Sequence, residues 1–403
     1  MNLTLGTYIL QPYARSEEHI KALADCKISI VFCIDKPDRE TLDLLEKYNI
    51  RAVVSGIVPN WWGGDGSKGR LCEHISLDMY DKAAEGFEMH PAIVGIDIGD
   101  EPSALDFPYY GKILEKMRSL FPDVFPYLNL YPNYASVSEN SDSQTLSQLG
   151  TRDYSEYIER YINEIELNYI SYDFYVYSCR DLGKMFENYR IVTDACKKTG
   201  KAFLYIPQVN SEFPEIFTSE NMLRFQAYTA LAYGAEYISW ACWTRGWWTN
   251  NVLDLQGNKT EQFEKLKRIN TELLAFGEIY NKYRWKETHL IGFENEPSFA
   301  PFDGLKTETE VSIGVFENIR AEGTKGLSVG YMTGTDGDAL CFCNADDYMD
   351  SAKSCAEISF YVEGENVSLH SCESSCVLTR GKDGRYSFRL ENCHGAIITV
   401  NLK

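Results

Sequence analysis

The sequence lacks several features that identify common classes of protein. It contains no run of lysine and arginine, and its 403 residues carry 59 Asp and Glu against 39 Lys and Arg, for a formal net charge of -20. An acidic chain without a basic patch repels phosphate groups, so nucleic acid and anionic membranes are poor partners. No apolar stretch approaches the roughly 20 residues that a membrane-spanning helix needs.

The sequence also has no clear signal peptide and no clear metal-binding motif. The N-terminal stretch MNLTLGTYILQPYARSEEH has no basic region and no continuous apolar core, so we expect a cytoplasmic protein whose 12 cysteines are free thiols. The six histidines form no H-x-H pair. The pairs Cys341/Cys343 and Cys372/Cys376 could each supply half of a zinc site, but they match no standard zinc spacing. We therefore expect no metal and no cofactor.

Apolar runs of strand length alternate with helical segments over the first 285 residues. One of these helical segments begins after Asp38 and another ends at Gly200, and both are good helix-capping residues. This alternation predicts a (β/α)8 barrel over residues 1–285, with an open doubly wound sheet as the competing geometry. The eight runs are LTLGTYIL, ISIVFCI, RAVVSGIV, AIVGIDIG, FPYLNLY, NYISYDFYVY, AFLYIPQV and EYISWACW.

The pattern changes near residue 286. Short alternating runs such as GLSVGYM, DALCFCNA and YSFRLEN are separated by Gly, Asp and Asn turns. Alternation of this kind is typical of half-buried antiparallel strands. We therefore predict a C-terminal antiparallel β-sandwich domain over residues 286–403.

The fourth apolar run ends in GIDIGDEP, which places carboxylates at a strand tip. Strict alternation puts Asp97 and Glu101 on the inward face and Asp100 on the face toward the helices. Pro102 favours an extended Glu101, so we expect the strand to run through it. Asp97 lies too deep along the strand to react, and we expect it to be a structural partner. Glu101 is then the candidate catalytic carboxyl.

Other strand tips supply further polar and aromatic side chains at the same end of the predicted barrel. Two carboxyls, amides, phenols and indoles around one cavity suit a sugar, because aromatic faces cover its C–H patches and a carboxyl pair cleaves glycosidic bonds. The second catalytic candidate is Asp173, with Glu212 as its alternative. The predicted substrate-binding residues are Trp61, Trp62, Asn129, Tyr131, Tyr175, Gln208 and Trp243.

Some of these residues also have purely structural interpretations. Asp173 could pair with Arg152 or Arg180, and Trp240 has the opposite parity to Trp243 and is expected in the core. His74 could reach the cavity. The stretch GDGSKG fits G-x-G-x-x-G but opens no helix, so we predict no nucleotide site there.

The stretches HPAIVGIDIGDEPSALDF, YLNLYPNY, YISYDFY and RFQAYTALAYGAEYISWACW resemble the clan A (β/α)8 glycoside hydrolases common in gut bacteria, with the architecture of family 42 β-galactosidases. The resemblance implies that Glu101 is the acid/base, with Asp100 in the place of the clan's usual Asn. The clan's nucleophile is a Glu ending strand seven, where this chain has Pro207 and Gln208. GIDIGDE and ISYD are also similar to the family 18 chitinase motifs, but Gly99 replaces the aspartate that positions an N-acetyl group.

These observations predict a glycoside hydrolase that acts on a short oligosaccharide or glycoside. Glu101 would protonate the leaving oxygen, and Asp173, a short side chain two strands away, would act as general base in an inverting reaction. The rival is Glu212 as nucleophile in a retaining reaction. The missing strand-seven Glu favours a different function, a non-catalytic carbohydrate-binding barrel or a scaffold. The sequence does not indicate the sugar or the oligomeric state.

Overall fold

The computed structural model describes residues 3–137, 147–210, 217–246, 251–293, 307–351, 353–372 and 374–401. Eight parallel strands form its first sheet, and each overlaps one of the predicted apolar runs, with β2 and β4 extending one residue beyond theirs. They are β1 Thr4–Tyr8, β2 Ile30–Asp35, β3 Arg51–Ser55, β4 Ile93–Asp100, β5 Phe125–Asn129, β6 Tyr169–Asp173, β7 Ala202–Ile206 and β8 Tyr237–Trp240.

The parallel sheet closes on itself. Its hydrogen-bonded order runs β5-β4-β3-β2-β1-β8-β7-β6. The two end strands then meet at a parallel bridge between Leu130 and Tyr172, where the Leu130 amide donates to the Ser171 carbonyl at 2.9 Å. An open doubly wound sheet has free edges at this point, so closure confirms the (β/α)8 barrel.

Helices connect the strands and cover the outside of the barrel. Asp38 caps the helix that begins at Arg39 by accepting from the Thr41 amide at 2.8 Å, and Gly200 ends the helix that begins at Leu182, in the left-handed region at φ 73°. Both capping predictions are confirmed. The helices are α1 Glu17–Asp25, α2 Arg39–Lys47, α3 Leu71–His74, α4 Asp78–Glu85, α5 Phe107–Leu120, α6 Tyr154–Glu164, α7 Val176–Cys179, α8 Leu182–Thr199, α9 Glu220–Ala232 and α10 Glu261–Tyr280.

The C-terminal part consists of two antiparallel-rich sheets packed face to face. The strands are β9 Tyr283–Gly292, β10 Thr307–Glu308, β11 Val311–Ile313, β12 Phe316–Glu322, β13 Gly326–Gly334, β14 Gly337–Asn344, β15 Cys355–Val362, β16 Glu365–Ser371, β17 Ser375–Val377, β18 Tyr386–Glu391 and β19 Gly395–Asn401. The larger sheet has the order β10-β9-β13-β14-β19-β16-β17, and the smaller has the order β11-β12-β15-β18.

The larger of these sheets joins the barrel through α9. Gly330 lies so close to the Ala232 carbonyl that a side chain there would overlap it, and the Thr288 hydroxyl donates to that same carbonyl at 2.7 Å. A second core, which includes Phe342 and Phe388, fills the space between the two sheets. The predicted β-sandwich is therefore present, and its first strand begins at Tyr283.

Among the helices of the described segments, none combines the length and the apolar character that a membrane crossing requires.

Candidate active site

A cavity of about 410 Å³ opens at the C-terminal end of the barrel strands. Side chains that end or follow β1, β3, β4, β5, β6 and β7 form its wall, as expected for sites in this fold. The wall contains three carboxyls, one amide, four aromatic rings and one aliphatic side chain. These residues are Asp100, Glu101, Asp173, Asn129, Tyr8, Trp62, Tyr134, Tyr175 and Ile206.

A β-bulge in β4 corrects the predicted orientation of Asp100. In the pairing with β5, Asp97 faces Tyr127 but Gly99 faces Leu128, so one extra residue, Ile98, interrupts the alternation. The bulge reverses the inward and outward faces beyond it. Asp100 therefore enters the cavity instead of facing the helices, and Gly99 faces outward.

Glu101 also differs from its predicted conformation. The strand ends at Asp100, and Glu101 has a φ of 48°, in the left-handed region rather than the extended one that Pro102 favours. Its amide donates to the Asn129 carbonyl at 2.9 Å, which holds the turn in place. A non-glycine residue in this region costs on the order of 1 kcal/mol, and strain of this kind is often retained at functional sites.

Trp62 contacts the Glu101 carboxyl directly. Its indole Nε1–H donates to Glu101 Oε2 at 2.7 Å, although 52% of the Trp62 residue surface is exposed. The hydrogen bond and the position of the ring make Trp62 part of the cavity wall.

Asn129 holds two carboxyls through one amide nitrogen. Its Nδ2 donates to Asp173 Oδ1 at 2.7 Å and to Asp100 Oδ1 at 3.2 Å, while its Oδ1 accepts from the Ser171 hydroxyl at 2.9 Å. An asparagine amide has two hydrogens, so both are engaged. Asn129 therefore lines the cavity and holds these two carboxyls, and its predicted contact with substrate stays a prediction.

The pKa values of the three cavity carboxyls are raised by different amounts. Burial, followed by repulsion from Asp173 and then from Asp100, raises the pKa of Glu101 to about 9, against a smaller opposing effect of the Trp62 hydrogen bond. Burial and then repulsion from Asp100 raise the pKa of Asp173 to about 7. Burial raises the pKa of Asp100 to about 6, with the Asn129 hydrogen bond opposing. Environments that separate two carboxyl pKa values in this way create an acid and a base in one cavity.

Asp97 lies below the cavity, where the sequence placed it. It is buried, accepts from Asn60 Nδ2 at 2.7 Å and from the Gly99 amide at 3.1 Å, and does not line the cavity. Burial and then Asp100 raise its pKa to about 7. Asp97 is therefore a structural acceptor that supports the bulge.

Asp173 is held by neutral donors. Hydrogen bonds from Asn129 and Tyr175 lower its pKa against the larger effect of burial. Arg152, one of the two partners that the structural interpretation offered, instead pairs with Glu156 at 3.3 Å. An acid that is buried beside other acids and held by neutral donors is typical of a functional carboxyl.

Two predicted substrate-binding residues lie in the core. Trp243 is fully buried and packs against Phe263 with ring centroids 6.0 Å apart, and it does not reach the cavity. Gln208 is also fully buried, and its Oε1 accepts from the Tyr177 amide at 2.7 Å while its Nε2 donates to the Asn210 carbonyl at 2.8 Å. Both side chains are committed to packing or backbone contacts, which corrects the prediction. Trp240 is in the core as expected.

Three other predicted residues have different outcomes. Tyr131 is buried outside the cavity wall. Trp61 lies behind the wall and stacks on His74 at 4.2 Å between ring centroids, so neither ring reaches the cavity. Glu212 lies outside the described residues.

Sequence reasoning missed Asp100, Tyr8 and Tyr134 as cavity residues. The isolated Gly99 in a strand was the available signal for the bulge that turns Asp100 inward. Tyr8 ends β1, and its position at a strand tip was a usable indication. Tyr134 lies in the loop after β5 and packs against Phe174 with ring centroids 5.3 Å apart, a contact that no periodicity encodes.

Within the described residues, one group of side chains has the spacing of a metal site. It consists of Asp43, Glu46 and His90, away from the cavity. His90 Nδ1 accepts from the Ala92 amide at 3.1 Å, so the ring hydrogen is on Nε2, which faces Asp43 Oδ1 at 3.0 Å. A donor nitrogen does not ligate a metal, and the group is explained as a hydrogen-bonded histidine.

Comparisons with known proteins support the fold. No family model matches the chain, and no curated protein matches it in sequence. The structure of a catalytic mutant of a GH42 β-galactosidase from G. stearothermophilus is similar over 100% of this chain and 98% of its own, with a TM-score of 0.59 and 9% identity. The structure of α-L-fucosidase isoenzyme 2 from Paenibacillus thiaminolyticus is similar over 100% of both chains, with a TM-score of 0.59 and 8% identity. At these identities the likeness shows the barrel with its C-terminal β sheets and no more.

Proposed function

We propose that the protein is a glycoside hydrolase with the architecture of family 42 enzymes. The observation that carries this proposal is that Glu101 and Asp173 face one aromatic-walled cavity, side by side with Asp100. Burial raises the pKa of both carboxyls, and repulsion from Asp173 and Asp100 raises the pKa of Glu101 further, which favours Glu101 as the proton donor and Asp173 as the carboxylate. Cleavage of a glycosidic bond needs this pair of a proton donor and a carboxylate.

In the proposed reaction Glu101 gives its proton to the glycosidic oxygen as the bond from that oxygen to the anomeric carbon breaks. A water molecule attacks the anomeric carbon and loses a proton to the Asp173 carboxylate, so one water is consumed for each bond cleaved. β5 lies between the strands that carry the two carboxyls. This separation and the short Asp173 side chain favour the wider gap that admits a water, so we expect inversion at the anomeric carbon.

The cavity wall supports a neutral sugar as the ligand. Its aromatic rings offer faces for sugar C–H groups, and its described lining includes no Lys, Arg or His. A carboxylate on the ligand would meet three carboxyls without a compensating cation, which disfavours acidic sugars.

The test is a screen of 4-nitrophenyl glycosides at about pH 8, between the two pKa values that govern the pair. We expect turnover of at least one neutral glycoside. The matched Asp173→Asn variant, purified in the same way, should lose on the order of 100-fold or more in rate. Equal turnover by this variant would show that the activity comes from a contaminant or from other residues. Sugar binding without turnover on any substrate would contradict the proposal and favour a carbohydrate-binding barrel.

Proton NMR of the first product tests the role of Asp173. We expect inverted configuration. Retained configuration together with an active Asp173→Asn enzyme would transfer the role to Glu212.

A further inference from the structure

We infer that Trp62 is a positioning residue for the proton donor, and that its indole N–H fixes which oxygen of Glu101 carries the proton. This inference rests on the proposed function, because it concerns Glu101 as the donor. It goes beyond a stacking surface for the sugar, the role that the sequence suggests for an exposed indole.

The backbone at Trp62 is joined to the end of β4. The Asp100 amide donates to the Trp61 carbonyl at 3.0 Å, and Trp62 forms a parallel bridge with Asp100. The backbone of the loop after β3 is therefore held against Asp100, the residue that precedes Glu101. These backbone contacts fix the position from which the Trp62 ring extends.

Two glycines allow the indole to reach the carboxyl. A Cβ at Gly63 would lie 1.7 Å from the Glu101 carbonyl oxygen, and a Cβ at Gly64 would lie 2.3 Å from Cζ2 of the Trp62 ring. The chain passes against Glu101 at the first glycine, and the indole lies over the second. Side chains at these positions would displace the loop or the ring.

The hydrogen bond then distinguishes the two Glu101 oxygens. The indole N–H can only donate, and it points at Oε2 at 2.7 Å. In a protonated carboxyl the carbonyl oxygen is the better acceptor, so Oε2 is the carbonyl and the proton is on Oε1. Trp62 thereby directs the transferable proton away from itself.

The neighbouring Trp61 provides an internal contrast. Its Nε1 is buried without a hydrogen-bond partner, and its ring stacks on His74. Two adjacent indoles thus have different roles, and only the second touches the acid. Trp61→Phe is therefore the matched control for Trp62→Phe.

The experiment uses 13C-glutamate-labelled full-length protein, with the Glu101 signal identified by its absence from Glu101→Gln. In Trp62→Phe, loss of a hydrogen bond that favours the ionised form should raise the Glu101 titration midpoint by roughly half a unit or more. Trp61→Phe should leave the midpoint unchanged. On a glycoside that the wild type hydrolyses, Trp62→Phe should move the alkaline limb of the pH–rate profile upward and reduce kcat more than it changes KM.

Gly64→Ala is a second variant that keeps the indole and moves it. We expect it to raise the Glu101 midpoint as Trp62→Phe does, with thermal melting as the check that both variants are folded. An unchanged midpoint in folded Trp62→Phe, with only KM increased, would overturn the inference and leave Trp62 as a stacking surface. The titration needs no substrate, so an inactive wild type with a shifted midpoint in Trp62→Phe would refute the hydrolase and not the contact.

Discussion

Among the individual residues, the third carboxyl of the cavity, Asp100, has the widest influence on the proposed chemistry. Asp100 adjoins the proposed donor in sequence, shares the Asn129 amide with Asp173, and contributes to the raised pKa of both catalytic candidates. A fixed negative neighbour favours the protonated form of an acid. We therefore expect Asp100 to tune the pair rather than to react itself.

Replacement of Asp100 by Asn tests this role. Asn keeps an oxygen to accept from Asn129 but removes the charge, so the pKa values of Asp173 and Glu101 should both fall. Both limbs of the pH–rate profile should then move to lower pH, by roughly one unit, with the maximal rate retained within about tenfold. Measurement of kcat/KM against pH checks the shift. Loss of activity at every pH in a folded variant would instead make Asp100 a reacting group.

At the scale of the element, strand β4 shows what periodicity can and cannot predict. Alternation located the strand and the buried Asp97 correctly, because both depend on a period of two that the core enforces. It failed beyond Ile98, because a single extra residue reverses the faces without changing the composition of the strand. The position of Glu101 at the strand tip was right although its backbone conformation was wrong.

The bulge predicts a specific effect at Gly99. A Cβ there would lie 2.3 Å from the Tyr110 hydroxyl oxygen and 3.1 Å or more from the other nearest atoms. Gly99→Ala should therefore lower the melting temperature and the activity, by on the order of 1–3 kcal/mol in stability. The double variant Gly99→Ala/Tyr110→Phe, which removes the clashing oxygen, should recover most of the loss.

Thermal melting of the two Gly99 variants and of Tyr110→Phe alone checks this prediction. Equal melting temperatures for the single and double Gly99 variants would show that other contacts, such as Leu128 Cδ1 at 3.2 Å from the added Cβ, and not the Tyr110 hydroxyl, require glycine at this position.

At the scale of the whole molecule, the order of strands and helices was predictable and the cavity was predictable only in part. The barrel and the sandwich were predictable because each strand and helix buries an apolar face, and this burial produces a regular apolar pattern over many residues. Trp243 and Gln208 were predicted to face inward but are fully buried, because the loops around a strand tip decide whether its side chain meets solvent. Those contacts join residues far apart in the chain, so the periodicity of a single sequence does not predict them.

If Glu101 donates a proton to the leaving group, the rate of the Glu101→Gln variant should depend strongly on how basic the leaving group is. The measurement compares kcat/KM of wild type and Glu101→Gln on two glycosides of the same sugar, one with 2,4-dinitrophenol and one with a simple alcohol as leaving group. Dinitrophenolate is a weak base and leaves without being protonated, whereas an alkoxide is a strong base and needs a proton in order to leave. We predict that Glu101→Gln loses on the order of 100-fold or more on the alkyl glycoside and little on the dinitrophenyl glycoside. An equal loss on both substrates would contradict the account, because it would show that Glu101 does not protonate the leaving oxygen.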